Sequence, residues 1–513
     1  MKNIRLVDDI REWQVWMFLA VATLLVRLPL MAVSFERDDA SYSYMALAML
    51  DGRMPYRDFI SLKPPLLYVL YLPLALVSGT SPLLLRLAGM VYPAASAILL
   101  YRLGLALAGR GIALSAAVLF VLLSGDPSMQ GCIVNAETLM LPFALSSALL
   151  WWRAMRGRSV KAALASGALF AAAVLVKQPA GTWAILLALA FLPVRLGGVP
   201  PISAIRLIAA FSSGAAALGS IVLAGMAAIG LGPYIGEFLS EGYRYVYAPP
   251  LASSYLYLQS LATIAGTQGA VWILAAIACF RLAFGRSSTG TGWRPYSPAF
   301  FWFWTAGSIA GVLLGRRGAP HYWLQFLPAV CMAAGAGLVF LVRNRGSGWP
   351  LRAARAGIAV YALASFLHVL PLLVSSREVK SRSLYPDNNF YEAEVVAAWL
   401  RMHTPPNSCV FIAGSEPEIP LLAGRRLAGH YPFVYNLTVD APGIPEARER
   451  WLASLDDPCT RSAVFCCNVR SWNDIYTSPR SVLEIKKRVV EKLSGPGWRL
   501  AAKITPYLVY IKK

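Results

Sequence analysis

Apolar runs of membrane-crossing length recur through the first 375 residues of this chain. A hydrocarbon core takes about 17–25 residues of helix to cross. On that measure the runs fall at 13–33, 82–101, 111–125, 137–152, 162–176, 179–194, 207–230, 259–280, 298–314, 322–342 and 356–374. Inside lipid every backbone polar group must be bonded within the protein, so such a chain folds as a bundle of helices. Composition agrees: 57% of residues are apolar, 14% are charged and the mean hydropathy is +0.55. A soluble domain carries about 45–50% apolar and about 25% charged residues, which excludes a soluble cytosolic enzyme. A disordered chain is excluded by the same numbers.

A further apolar run, Pro64 to Val77, is fourteen residues long and opens on two prolines. Charge decides whether it crosses. If it does not, and the N-terminus is inside, eighteen basic residues flank the spans on the inner face and eight on the outer. The nine acidic residues between Trp13 and Ser375 then all fall outside. If the run crossed, the cluster Arg153, Arg156, Arg158 and Lys161 would be outside, against the tendency of Lys and Arg to stay cytoplasmic. Pro64–Val77 therefore reads as a juxtamembrane helix on the outer leaflet. Eleven spans put the C-terminus outside, with residues 13–33 as an uncleaved signal anchor. The net charge of +21 is explained by this membrane bias. The basic residues are scattered and form no stripe, so nucleic acid is not an expected partner.

Residues 376–513 change character and carry fourteen of the 26 acidic residues. Tyr391–His403 has an amphipathic helix pattern with Val395, Val396, Trp399 and Leu400 on one side. Cys409–Ala413, Ser462–Cys467 and Tyr507–Ile511 read as strands, and Val482–Leu493 as a helix between them. A small α/β domain with a parallel or mixed sheet is expected outside the cytoplasm. The division is thus 1–375, a membrane domain with an outer loop at 34–81, and 376–513. Of seven cysteines, four lie in the outer domain, where a bridge such as Cys459–Cys466 could form.

The outer loop holds the densest carboxylate group, Glu36, Asp38 and Asp39. A helix follows from Ala40 to Leu50, and Asp38 or Asp39 can cap it. A cap needs one carboxylate, not three. Crowded carboxylates raise the pKa of one of them, which suits a general base or a divalent metal site. Basic groups gather at the same level: Lys63, Lys177, Arg316, Arg317 and His321, with Arg86 one turn into the second span. Charge at that depth is costly without a partner or a function. Together these cations suit an anionic ligand, and a base beside phosphate-binding cations suits transfer of a group from a lipid phosphate. Glu137 opens the fourth span, as a helix-start carboxylate or an acceptor-binding residue.

These pieces resemble the GT-C superclass of membrane glycosyltransferases. The resemblance is to the branch of protein O-mannosyltransferases, lipid A aminoarabinose transferases and lipopolysaccharide-core galacturonosyltransferases. Arg37-Asp38-Asp39-Ala-Ser-Tyr42 is similar to that family's first-loop acidic motif. Gly52-Arg-Met-Pro-Tyr56-Arg57-Asp58 through Lys63-Pro64-Pro65 is similar to its G-x-x-P-Y-x-D … K-P-P loop. His321-Tyr-Trp-Leu-Gln325-Phe-Leu-Pro328 resembles its late-span motif, and Gly414-Ser-Glu-Pro-Glu418 a turn of its C-terminal domain. The resemblance implies a GT-C fold and an inverting transfer from a polyprenyl-phosphate sugar to a glycan, lipid or protein acceptor outside the bacterial cytoplasmic membrane. No cofactor is required. On the matched positions Asp38 or Asp39 is the base, and Lys63, Arg316, Arg317 and His321 hold the donor phosphate, with Lys177 joining them as a cation at the same level. Glu36, Tyr42, Tyr56, Arg57, Glu137 and Gln325 contact substrate. A glycan ligase or a flippase is the competing expectation. Transporters tend to show internal repeats and mid-membrane polar residues, whereas this sequence shows no repeat and its acids sit at one face.

Overall fold

The computed structural model describes residues 11–192, 201–236, 238–240, 251–284, 293–315, 318–343, 348–440, 443–472 and 478–513. The helices of the N-terminal part run α1 Glu12–Arg27, α2 Arg37–Leu50, α3 Pro65–Ser78, α4 Pro82–Gly89, α5 Val91–Leu107, α6 Arg110–Ser124, α7 Ala136–Gly157, α8 Val160–Val176 and α9 Pro201–Ala228. Helices Leu251–Phe284, Ser297–Leu314, Leu327–Arg343 and Trp349–Val374 follow. Each of the eleven apolar stretches falls mainly on helix. Six helices among the described residues are long and apolar enough to cross a membrane. The stretch 179–194 is a 3₁₀ segment, Gln178–Phe191, and the 322–342 stretch begins inside another, Pro320–Gln325. Both follow a proline near their start, which fixes φ and removes a donor.

Helix Trp349–Val374 shows why the bundle needs lipid. Val360, Leu363, Phe366 and Val374 are all more than half exposed. It touches helix Leu251–Phe284 along one edge, where the Tyr361 hydroxyl donates to the Ala265 and Gly266 carbonyls, and the rest of its apolar surface has only lipid to cover it. Where helices do meet, small residues set the approach. A Cβ on Gly167 of α8 would overlap the Phe211 carbonyl of α9, and a Cβ on Gly214 of α9 would overlap the Leu164 carbonyl of α8.

Helix α2 begins at Arg37, three residues earlier than the sequence suggests. Its cap is Glu36, not Asp38 or Asp39. Glu36 Oε2 accepts the Asp38 N–H at 2.7 Å, and Asp39 Oδ1 accepts the Glu36 N–H at 2.7 Å. This reciprocal arrangement is a capping box with acids at both positions.

The C-terminal part holds a mixed five-stranded sheet: β1 Cys409–Ala413, β2 Arg426–Leu427, β3 Thr460–Cys466, β4 Trp498–Ile504 and β5 Tyr507–Lys512, in the order β2-β1-β3-β5-β4. β1 lies parallel to β2 and β3, and β5 antiparallel to β3 and β4. Side chains alternate across a strand, and all five of β1 are buried. Cys409, Phe411 and Ala413 pack under helices Ile444–Ala453 and Pro479–Leu493. Val410 and Ile412 face the opposite way, into the apolar cluster continuous with the membrane helices. Helix Phe390–His403 buries Val396 and Leu400 there, whereas Val395 is about half exposed.

The disulfide is Cys409–Cys459, not Cys459–Cys466. Cys459 ends the approach to β3, beside the start of β1, where the Cys409 N–H donates to the Cys459 carbonyl at 2.7 Å. Cys466 sits at the far end of β3 and meets Ser471.

Candidate functional site

The C-terminal part is locked onto α2 and its loop by polar contacts. Arg37 donates from Nε to the Ser415 carbonyl at 2.5 Å and from Nη2 to Asn388 at 3.1 Å, and pairs with Glu416 at 3.4 Å. The Leu427 N–H donates to the Tyr44 hydroxyl at 2.7 Å, and the Ile60 N–H to the His430 carbonyl at 2.8 Å. This docking roofs a cavity of about 590 Å³. Its floor and walls include Glu36, Asp38, Tyr42, Lys63, Lys177, His321 and Tyr322, and its C-terminal side Phe433, Tyr435 and Asn436.

The three acids have separate surroundings. Asp38 is half-buried and faces the cavity, with Lys63 Nζ 3.8 Å from its Oδ2. Burial pushes its carboxyl up, but Lys63, His321, the Tyr42 hydroxyl and Lys177 together outweigh burial and hold it below the usual aspartate range. Asp39 is fully buried beneath the cavity, paired with Arg86 at 3.1 Å. Burial raises it to about 6 against the pull of Arg86. Glu36 lines the cavity, and burial, with Asp38 and Asp39 nearby, raises it to about 8.

Arg86 does not reach the cavity. Its guanidinium donates to the carbonyls of Met31 at 3.0 Å, Val33 at 2.5 Å and Ser34 at 2.9 Å as well as to Asp39. It therefore clamps the turn that delivers the acidic loop.

Lys63 follows a kinked segment in which the Tyr56 hydroxyl donates to the Lys63 carbonyl at 2.7 Å. Its ammonium lies 5.6 Å from the Tyr42 ring centre. Lys177 ends α8, pairs with buried Glu137 at the start of α7, and sits 3.9 Å from the Tyr322 ring centre. His321 Nδ1 meets Gln130 Oε1 at 2.9 Å. The structure thus brings Glu36, Asp38, Tyr42, Lys63, Lys177 and His321 to one cavity. Asp39 and Glu137 stand behind it as partners of Arg86 and Lys177. Gln325 donates to the Pro179 carbonyl at 3.2 Å. Tyr56 lines a separate apolar cavity with Met49, Leu66 and Val222. Arg57 turns to Asp58 at 2.8 Å. Arg316 and Arg317 lie outside the described residues.

Among the described residues no group of three or more His, Cys, Asp or Glu is arranged to hold a metal ion. The acidic loop does not form one, because both Asp39 oxygens and Glu36 Oε2 are turned to protein donors.

Phe433, Tyr435 and Asn436 were not legible as site residues. Val434 and Leu437 of the 3₁₀ turn Val434–Leu437 anchor in the core. The rings of Phe433, just before the turn, and Tyr435, within it, stack at 5.1 Å with a 17° tilt. An i, i+2 aromatic pair after Pro432 is the one local signal.

Among solved structures, the chain superposes on ArnT from Cupriavidus metallidurans in the apo state. The TM-score is 0.57 at 14% identity, over 96% of this chain and 97% of that one. It also superposes on the same protein bound to undecaprenyl phosphate, with a TM-score of 0.56 at 12% identity and 97% of both chains covered. The chain has the GT-C fold. A third GT-C neighbour is the apo oligosaccharyltransferase of Archaeoglobus fulgidus, with a TM-score of 0.51 at 12% identity. It is covered over 89% of this chain and 70% of that one. No family model matches the chain, and no curated protein sequence matches it. In this GT-C fold the acidic cavity lies between the membrane helices and the C-terminal sheet.

Proposed function

We propose that the protein is an inverting glycosyltransferase that moves a sugar from a polyprenyl-phosphate donor to an acceptor at the outer face of a bacterial cytoplasmic membrane. The observation that carries this reading is one cavity, in a GT-C fold, that joins a carboxylate held ionised to a group of cations. The similar ArnT binds undecaprenyl phosphate, which supports a lipid phosphate as the leaving group here.

The acceptor hydroxyl oxygen attacks the anomeric carbon as the bond from that carbon to the phosphate oxygen breaks. The electron pair leaves with the polyprenyl phosphate, and the hydroxyl proton goes to Asp38. A single displacement inverts the anomeric centre. Lys63, with Lys177, offsets charge on the departing phosphate, and His321 lines the same cavity. The Lys63–Asp38 pair adds a coupling. A phosphate drawing Lys63 away removes the charge that holds the Asp38 pKa down, so donor binding makes Asp38 a stronger base. Arg317, expected at the phosphate, and Arg316 belong to the same proposal.

The topology belongs to this reading: N-terminus cytoplasmic, cavity and C-terminal sheet outside. A lipid, glycan or protein hydroxyl, including one on lipopolysaccharide, can serve as acceptor. The test uses purified protein, a polyprenyl-phosphate donor labelled in its sugar and an envelope glycan extract. Label should pass from lipid to acceptor with inverted configuration. Label that stays on the lipid while the lipid changes leaflet would instead mark a flippase.

A further inference from the structure

At the far end of α7 from the acidic cavity lies a second pocket, of about 300 Å³, lined by Ala106, Trp152, Arg153, Arg156, Arg294 and Pro295. Half of its lining is arginine and none is acidic. Among the described residues no carboxylate forms an ion pair with any of the three arginines. The pocket has fixed walls. Trp152 is buried and packs edge-on against Phe300 at 5.3 Å. The Arg294 N–H donates to the Leu107 carbonyl at 2.9 Å, which pins its loop to the end of α5. Arg156 lies 5.9 Å from the Trp152 ring centre and 5.6 Å from that of Tyr296.

Position supplies the second argument. Glu137 at the start of α7 pairs with Lys177 of the acidic cavity. At about 1.5 Å per residue, Arg153 and Arg156 lie about 24 and 29 Å further along the same helix. That is close to the thickness of a bilayer hydrocarbon core, about 30 Å. The two pockets thus stand at opposite headgroup levels. Aromatic rings beside basic side chains are the usual equipment of that level.

We propose that this pocket binds the phosphate headgroup of an anionic phospholipid in the leaflet opposite the acidic cavity. Guanidinium groups bind phosphate oxygens in pairs, and basic pockets between membrane helices on the cytoplasmic side take such headgroups. The inference does not depend on the glycosyltransferase reading.

Native mass spectrometry of the purified full-length protein tests it, with dioleoylphosphatidylglycerol and dioleoylphosphatidylcholine as probes. The wild type should retain the anionic lipid in clear preference. Each arginine contributes roughly fivefold, so Arg153→Gln/Arg156→Gln/Arg294→Gln should lose roughly a hundredfold. Arg343→Gln/Arg352→Gln/Arg355→Gln removes equal charge elsewhere and should keep the preference. If the first triple variant does not fold, the single Arg294→Gln should still lose roughly fivefold. Equal losses in the two triple variants, or none in the first, would overturn the proposal. So would displacement of the lipid by millimolar inorganic phosphate, which would mark a free-phosphate site.

Discussion

Asp38 differs from its two acidic neighbours in what holds it. Asp39 is tied to Arg86 and Glu36 to the backbone of Asp38, while Asp38 faces the cavity beside Lys63. Removing a general base costs about 10²–10⁴-fold in rate, so Asp38→Asn should lower turnover on that scale with donor binding kept. Arg86→Ala should act on the fold instead. It leaves Asp39 buried without its charge partner, which typically costs about 3–5 kcal/mol. A large drop in thermal stability is expected, and an unchanged melting curve would refute the clamp. Glu36 sets the alkaline limit. Its carboxyl, raised to about 8, is neutral at pH 7 and takes a charge as the pH passes 8. That charge opposes both the ionised Asp38 and the donor phosphate. Turnover should therefore fall above about pH 8, and Glu36→Gln should keep activity at pH 7 and lessen that decline, the remainder coming from Lys177, which burial lowers to about 8. The linkage has the same sign. Between the ordinary value of 4.5 and about 8 the folded protein holds a proton that the unfolded chain has released, so this group's stabilisation fades as pH rises across that window.

At the scale of elements, what was legible followed local pattern. The apolar stretches gave helices, and β1, β3 and β5 were read from short apolar runs. β2 has two residues, too few to show a period. β4 carries Arg499 and Lys503 on a sheet edge, where charge masks the strand signal. The α2 cap was misplaced because three neighbouring acids are equivalent in sequence and only the backbone turn selects Glu36. The disulfide was missed because the partner of Cys459 depends on β1 lying beside β3, fifty residues away in sequence. Lys63, Lys177 and His321 share one cavity, as their common membrane level suggested. Phe433 and Tyr435 join them through a tertiary docking that no local pattern encodes. The α8–α9 contact gives the test at this scale. Gly167→Val places a side chain against the Phe211 carbonyl and should separate the helices, which would show as loss of folded protein in detergent. Normal yield and stability would contradict the close approach.

For the whole molecule, the C-terminal sheet and the membrane helices share one apolar cluster and one cavity, so neither part completes the site alone. The basic asymmetry of the loops predicts a C-terminus outside the cytoplasm. A phosphatase fused after Lys513 should be active there, and activity of a cytoplasm-only reporter would reverse the topology. The central claim is that Asp38 in this shared cavity drives sugar transfer off a lipid phosphate. The most direct measurement is release of polyprenyl phosphate by purified wild type and Asp38→Asn, with polyprenyl-phosphate sugar and acceptor present. The account predicts release by the wild type and a loss of about 10²–10⁴-fold in the variant, at equal donor binding. Equal release by the two proteins would contradict it.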